Sequence, residues 1–191
     1  MEHQISKRKL AILIAGVFLV SSSLLAFEIA FARLMSVMLS YHYVFAIVSV
    51  SLFGLGVGGI FVHFSQLKAS DERPPFDSLA LWAGLCSLTM TLSVIVAIQI
   101  GHMDTLGTSI LLYCGIFFVP FFFGGVFLAK VFRTYPSLSS MVYGSDLAGA
   151  AAGCLGIVLA LNILGAVSAI FFFAVVTSVS GVMLWLANEI T

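Results

Sequence analysis

Charge is scarce in this sequence. Lys and Arg number 8 and Asp and Glu another 8 in 191 residues, so the formal net charge is zero. Without a basic surplus there is no face for nucleic acid. Cysteine is scarce as well. Cys86, Cys114 and Cys154 stand alone in apolar stretches, without CxxC or Cys/His spacing. That pattern supports neither a zinc site nor a disulfide framework, and three small buried thiols are the ordinary reading. His3, His42, His63 and His102 are dispersed, with no HExxH-type spacing. The last three fall near span ends, where interfacial hydrogen bonding accounts for them. No metal and no cofactor is expected. Secretion is also not expected, because the first apolar stretch outruns a signal-peptide core and no small-residue cleavage site follows it.

What is present is apolar. The chain is 61% hydrophobic, with 18 Phe and 17 Gly, and its mean hydropathy is +1.18. A soluble domain of this size cannot hide that much apolar surface, whereas a bilayer serves as its solvent. Apolar windows at 10–39, 43–65, 79–100, 108–129, 141–164 and 166–187 predict six membrane helices. The expectation is an all-α polytopic membrane protein, one six-transmembrane-helix bundle over 1–191 with no soluble domain. The first window is longer than a bilayer requires, so it must tilt, bend or continue along the interface. "SYHY" (40–43) reads as the turn into the second helix. "KASDERPPFD" (68–77) is the clearest hydrophilic loop, and its prolines stop any helix running through it. The connection at 164–166 is short enough to predict a tight antiparallel hairpin of the last two helices.

Lys and Arg set the orientation. Lys7, Arg8 and Lys9 precede the first span, Lys68 and Arg73 lie between the second and third, and Lys130 and Arg133 between the fourth and fifth. Six crossings put all of these on one side and only Arg33 at or near the other. Both termini are therefore expected in the cytoplasm, and the chain in the cell membrane. Three helices followed by three also invite comparison as an inverted repeat, in which the glycine-rich second and fifth helices correspond. No residue-by-residue match supports that from sequence.

"GLGVGG" (54–59) contains G-x-G-x-x-G at Gly54, Gly56 and Gly59, beside Gly58. A dinucleotide fingerprint needs a strand before it and a helix after it. Here the surroundings read as one apolar helix, so close helix packing is the better account. "GSDLAGAAAGCLG" (144–156) repeats the device with Gly149 and Gly153 in a GxxxG arrangement. The second and fifth helices are accordingly expected to be central and tightly packed. Pro120 sits within the fourth span and removes one backbone donor. The resulting kink is either structural or a hinge.

Few polar groups interrupt the spans. In "LLAFEIAFARLM" (24–35), Glu28 and Arg33 stand in an apolar run. Glu28 follows Leu10 by about 27 Å of helix, near the far edge of the hydrocarbon if the span starts there. Five residues turn Arg33 about 140° from Glu28, so they are not an i,i+4 pair. Each must find partners elsewhere, either as a structural or snorkelling charge or as a contact site facing the bundle interior. Asp146 falls in the first turns of the fifth helix. Two readings stand for it: stabilisation by the positive helix end with capping by Ser140 or Ser145, or contact with a substrate or partner. Tyr143 is placed to share its face. Glu28 and Asp146 belong to opposite leaflets in this topology, so paired-carboxylate chemistry is not expected. Ser21–Ser23 satisfy their hydroxyls on helical carbonyls and receive no nucleophilic role. No nucleophile–base or metal constellation is visible, so a stand-alone membrane enzyme is disfavoured.

Taken together, "FEIAFARLMSVMLSYHYVFAIVSVSLFGLGVGG", "VPFFFGGVFLAKVF" and "YGSDLAGAAAGCLGIVLALNILG" resemble the first two, fourth and fifth spans of membrane-embedded spermidine synthase-like proteins. The shared features are a Glu followed by Arg-Leu, a run of glycines, a Pro-to-Gly stretch, and Tyr and Asp before a Gly-Ala tract. The resemblance implies a polyamine aminopropyltransferase-like domain with an S-adenosylmethionine-type fold after the membrane part. This sequence departs there, ending at "ANEIT" soon after its last apolar window. The expectation is a non-enzymatic membrane module that anchors, regulates or feeds a cytosolic aminopropyltransferase-like partner. Glu28, Arg33, Tyr143 and Asp146 are its candidate ligand or partner contacts. The alternative is a small six-helix transporter or half-transporter for a small, cationic or neutral solute, working as a homo-oligomer.

Overall fold

The computed structural model describes residues 6–38, 44–65, 75–101 and 106–189. Within them the chain forms α1 (Lys7–Met38), α2 (Val44–Ser65), α3 (Pro75–Gly101), α4 (Leu106–Thr134), α5 (Ser139–Leu164) and α6 (Ala166–Glu189). A 3-10 turn at Pro136–Leu138 joins α4 to α5. No strand occurs among the described residues. Each of the six helices is long and apolar enough to cross a membrane. The protein is an all-α, multi-pass membrane bundle. The expected turn at 40–43, most of the hydrophilic loop (with Lys68 and Arg73), and His3, His42 and His102 lie outside the described residues.

Every helix but α2 extends past its apolar window at one end or both. Pro75 opens α3 at a position where its missing N–H costs nothing. α4 continues through Lys130 and Arg133, which end in polar contacts rather than in a loop. Lys130 Nζ donates to Ser78 Oγ at 2.7 Å and stands 5.7 Å from the centre of the Trp82 ring. Arg133 donates to the Val62 carbonyl at 3.3 Å. Long stems lie along apolar surface while their charged heads reach polar groups. Asn188 Nδ2 donates to Asp77 Oδ2 at 3.1 Å, so the end of α6, the start of α3 and the ends of α2 and α4 gather at one end of the bundle.

α1 forms the centre. Over its most apolar window 56% of residues are buried, against 22% for α2 and 17% for α5. This corrects the expectation that α2 and α5 are central. They are tightly packed, but as outer helices, each laid on one inner neighbour. A backbone-to-backbone contact needs a single glycine-lined stripe, which leaves the rest of the helix free to face outward. The turn between α5 and α6 is as tight as expected. Gly165 makes it at φ 78°, a left-handed conformation that glycine adopts without a Cβ clash. Its N–H closes α5 on the Leu161 carbonyl. The two helices then part rather than forming a packed hairpin, because α5 lies on α1 while α6 packs between α3 and α1.

An approximate twofold plan relates the halves. α2 lies on α4 as α5 lies on α1, and α3 pairs with α6 across the middle. The residues repeat the plan. Gly54 and Gly58 meet the backbone at Phe118 and Phe122, while Gly149 and Gly153 meet it at Phe18 and Ser22. Ser93 of α3 donates to the Ile116 carbonyl of α4 at 2.9 Å. Ser180 of α6 donates to the Gly16 carbonyl of α1 at 3.0 Å. Three helices per half give the halves opposite orientations when all six cross a membrane, the arrangement of an inverted repeat. The glycine-rich α2 and α5 do correspond.

Where α1 meets α4 the interior is aromatic. Phe27, Phe31, Phe117 and Phe121 are essentially fully buried. Their ring centres lie 4.7 Å apart for Phe31–Phe117, 5.5 Å for Phe27–Phe117 and 4.8 Å for Phe117–Phe121.

Candidate functional site

Two polar contacts of α1 lie along one of its sides. Ser21 and Glu28 are seven residues apart, so they share a stripe separated by about 10 Å of helical rise. Each engages a different outer helix. Ser51 of α2 donates its hydroxyl to Glu28 Oε1 at 2.8 Å, with the Val48 carbonyl as a second acceptor at 2.7 Å. Ser21 donates to Asp146 Oδ1 of α5. Ser145 beside it donates to the Ile14 carbonyl at 2.7 Å. Glu28 and Asp146 are both partly buried, and each holds its own serine.

This geometry corrects the capping account of Asp146. α5 begins at Ser139 behind Leu138, with no side-chain cap and no acid in its first turn. Asp146 lies two turns further on, beyond the reach of the helix end, whose field fades within the first turn. A cross-helix hydroxyl satisfies it instead. Ser21 likewise departs from the expected bond to its own helix, although Ser23 does make one, to the Leu19 carbonyl. Tyr143 is exposed, and no described residue hydrogen-bonds to it. It lies one turn before Asp146 on α5 without hydrogen-bonding to it.

The glycines divide. A side chain at Gly54, Gly58, Gly149 or Gly153 would meet a neighbouring backbone, whereas one at Gly56 or Gly59 would meet nothing within 4 Å. Gly56 and Gly59 therefore lie outside the α2–α4 seam. Two glycines sequence reasoning passed over, Gly124 and Gly125 of α4, belong to tight contacts. Gly125 faces the Leu55 backbone and Gly124 faces the Leu24 side chain. The signal was present in the "FGG" after Pro120.

Pro120 is buried within an unbroken α4. Lacking an N–H, it leaves the Ile116 carbonyl without its helical donor. Ser93 of α3 supplies that donor, sharing its one proton with the Thr89 carbonyl of its own helix at 2.7 Å, as serine hydroxyls do around membrane prolines. Cys86 Sγ donates to the Pro120 carbonyl at 3.4 Å. With both carbonyls held by α3, the turn is pinned, which favours the structural reading over the hinge. Ser93→Ala should expose this coupling. It leaves the part-buried Ile116 carbonyl without a donor, at a cost of about 1–3 kcal/mol, seen as a lowered unfolding temperature in detergent. Pro120→Ala restores the helical donor and should recover much of that loss.

The thiols also divide. Cys86 is buried, Cys114 half-buried and Cys154 exposed, so only Cys86 fits the buried-thiol expectation in full. Among the described residues, no three His, Cys, Asp or Glu side chains gather as a metal site requires.

Compared with protein-family models, curated proteins and solved structures, the chain finds no match.

Proposed function

We propose that this chain is a non-enzymatic membrane module that anchors, regulates or feeds a cytosolic aminopropyltransferase-like partner. The sequence resemblance nominates the partner. The observation that supports a module over a catalyst is the use made of the acids: Glu28 and Asp146 are each engaged by a serine at a separate helix contact. Phe27, Phe31, Phe117 and Phe121 fill the space where α1 meets α4. A rigid core with apolar outer helices suits a scaffold. In this reading the chain sits in the cell membrane with both termini in the cytoplasm, on the side of Lys7, Arg8 and Lys9.

Capture of the full tagged chain in mild detergent tests it. The expected result is co-purification of a protein that transfers aminopropyl groups to a diamine, retained through a salt wash. Recovery of the bundle without such activity counts against the reading, and so does tag mapping that puts the termini on opposite sides.

The twofold plan favours a second reading, a small transporter or half-transporter, since inverted repeats are a common transporter architecture. Uptake of a small cationic solute into proteoliposomes, lost in Glu28→Gln or Asp146→Asn, distinguishes it. A proteoliposome that moves neither cationic nor neutral solutes removes it.

A further inference from the structure

At the end of the bundle away from Lys7, α1 and α5 part to leave an open cleft of about 400 Å³. Its walls are apolar, with Ile29 of α1 facing Val158 and Leu161 of α5. Its polar edge is Arg33, Ser36 and Asn162. Ser36 spends its hydroxyl proton on the Arg33 carbonyl at 2.7 Å. The donors left for an occupant are the guanidinium of Arg33 and the amide of Asn162. No described residue takes a hydrogen bond from either.

The twofold plan sharpens the comparison. Arg133 near the end of α4 corresponds to Arg33 near the end of α1, and Arg133 reaches across its own seam to the Val62 carbonyl of α2. Arg33 borders the equivalent seam, with α5, yet opens onto the cleft instead. A guanidinium offers up to five N–H donors in a planar fork that matches a phosphate. Beside it are apolar walls from Ile29, Val158 and Leu161, suited to an acyl chain.

We propose that this cleft binds an anionic phospholipid, its headgroup phosphate held by Arg33 and Asn162 and one acyl chain lying along Ile29, Val158 and Leu161. The charge of Arg33, unmatched by an acid at the cleft, selects a net-negative headgroup over a zwitterionic one. The site stands independently of both functional readings above.

Native mass spectrometry of the full chain in detergent provides the test, with phosphatidylglycerol and phosphatidylcholine as probes. Phosphatidylglycerol should bind at least tenfold more tightly than phosphatidylcholine, and Arg33→Gln should weaken it about tenfold, the scale of a lost charge-assisted contact. Arg133→Gln should leave it unchanged. Val158→Trp, which plugs the cleft from an exposed position, should abolish binding without touching a charge, and so keeps the test decisive if Arg33→Gln misfolds. Equal binding of the two lipids overturns the proposal. So does undiminished phosphatidylglycerol binding in Val158→Trp or in folded Arg33→Gln. Displacement of the lipid by millimolar inorganic phosphate makes the site one for a free anion and overturns it too.

Discussion

Replacing Gly153 with Leu should detach α5 from α1. Gly153 lies against the Ser22 backbone and Gly149, one turn earlier, against that of Phe18. A Cβ has no room there, and the obstructing atoms are backbone, which cannot rotate away. The helices must separate, losing dispersion contact along their seam, and in lipid no hydrophobic force compensates for it. Separation also pulls Ser21 from Asp146, stranding a carboxylate in apolar surroundings. The expected loss is roughly 3 kcal/mol or more, at the upper end of overpacking effects. It should be read as a large fall in detergent unfolding temperature or failure to recover a monodisperse protein. Gly58→Leu should do the same at the α2–α4 seam, where the Phe122 backbone is the obstacle. Gly56→Ala and Gly59→Ala are the controls. Nothing lies within 4 Å of either added methyl, so stability should stay within about 0.5 kcal/mol or rise slightly through the better helix propensity of Ala. Equal damage from seam and control substitutions would show that glycine matters here for a reason other than close approach.

Phe117→Ala should cost about 3–5 kcal/mol, the range for removing a buried phenyl ring. The Phe117 ring touches those of Phe27, Phe31 and Phe121, so its removal leaves three neighbours facing a void. α4 is held on its other sides by α2 and α3, which limits its freedom to collapse into the gap. Phe117→Leu fills part of the volume and should cost distinctly less. Phe172→Ala, at an exposed site on α6, should cost little. The measurement is thermal or denaturant unfolding of the three variants in one detergent. If Phe117→Ala matches Phe172→Ala, the aromatic cluster does not hold the two halves together.

The number of helices was legible because the bilayer imposes it. Six apolar windows of spanning length predict six helices, and every window became one. Boundaries were less legible. Lys130 and Arg133 read as loop residues, yet remain helical because their stems reach polar partners from within α4. The glycine tracts announced close packing but not its partner. Gly54 and Gly58 share a helix with Gly56 and Gly59, and only the direction of α4 separates the first pair from the second. For the acids, sequence identified the need for partners without identifying them. Glu28 found Ser51 and Asp146 found Ser21, the latter far away in the chain. Serine is too common in membrane helices for its position to carry that information.

By itself the sequence determined the solvent of this protein, the number of its helices and the places where backbones can touch, since each follows from local composition and the cost of burying unpaired polar groups. The tertiary structure alone decided that α1 is the centre, that α2 and α5 lie outside on α4 and α1, and that Arg33 borders a cleft while Arg133 closes a seam. Those are facts about which face of a helix meets which neighbour. In an apolar solvent that choice is made by shape and by a few cross-helix hydroxyls, because nearly every face is hydrophobic enough to be buried or left in lipid.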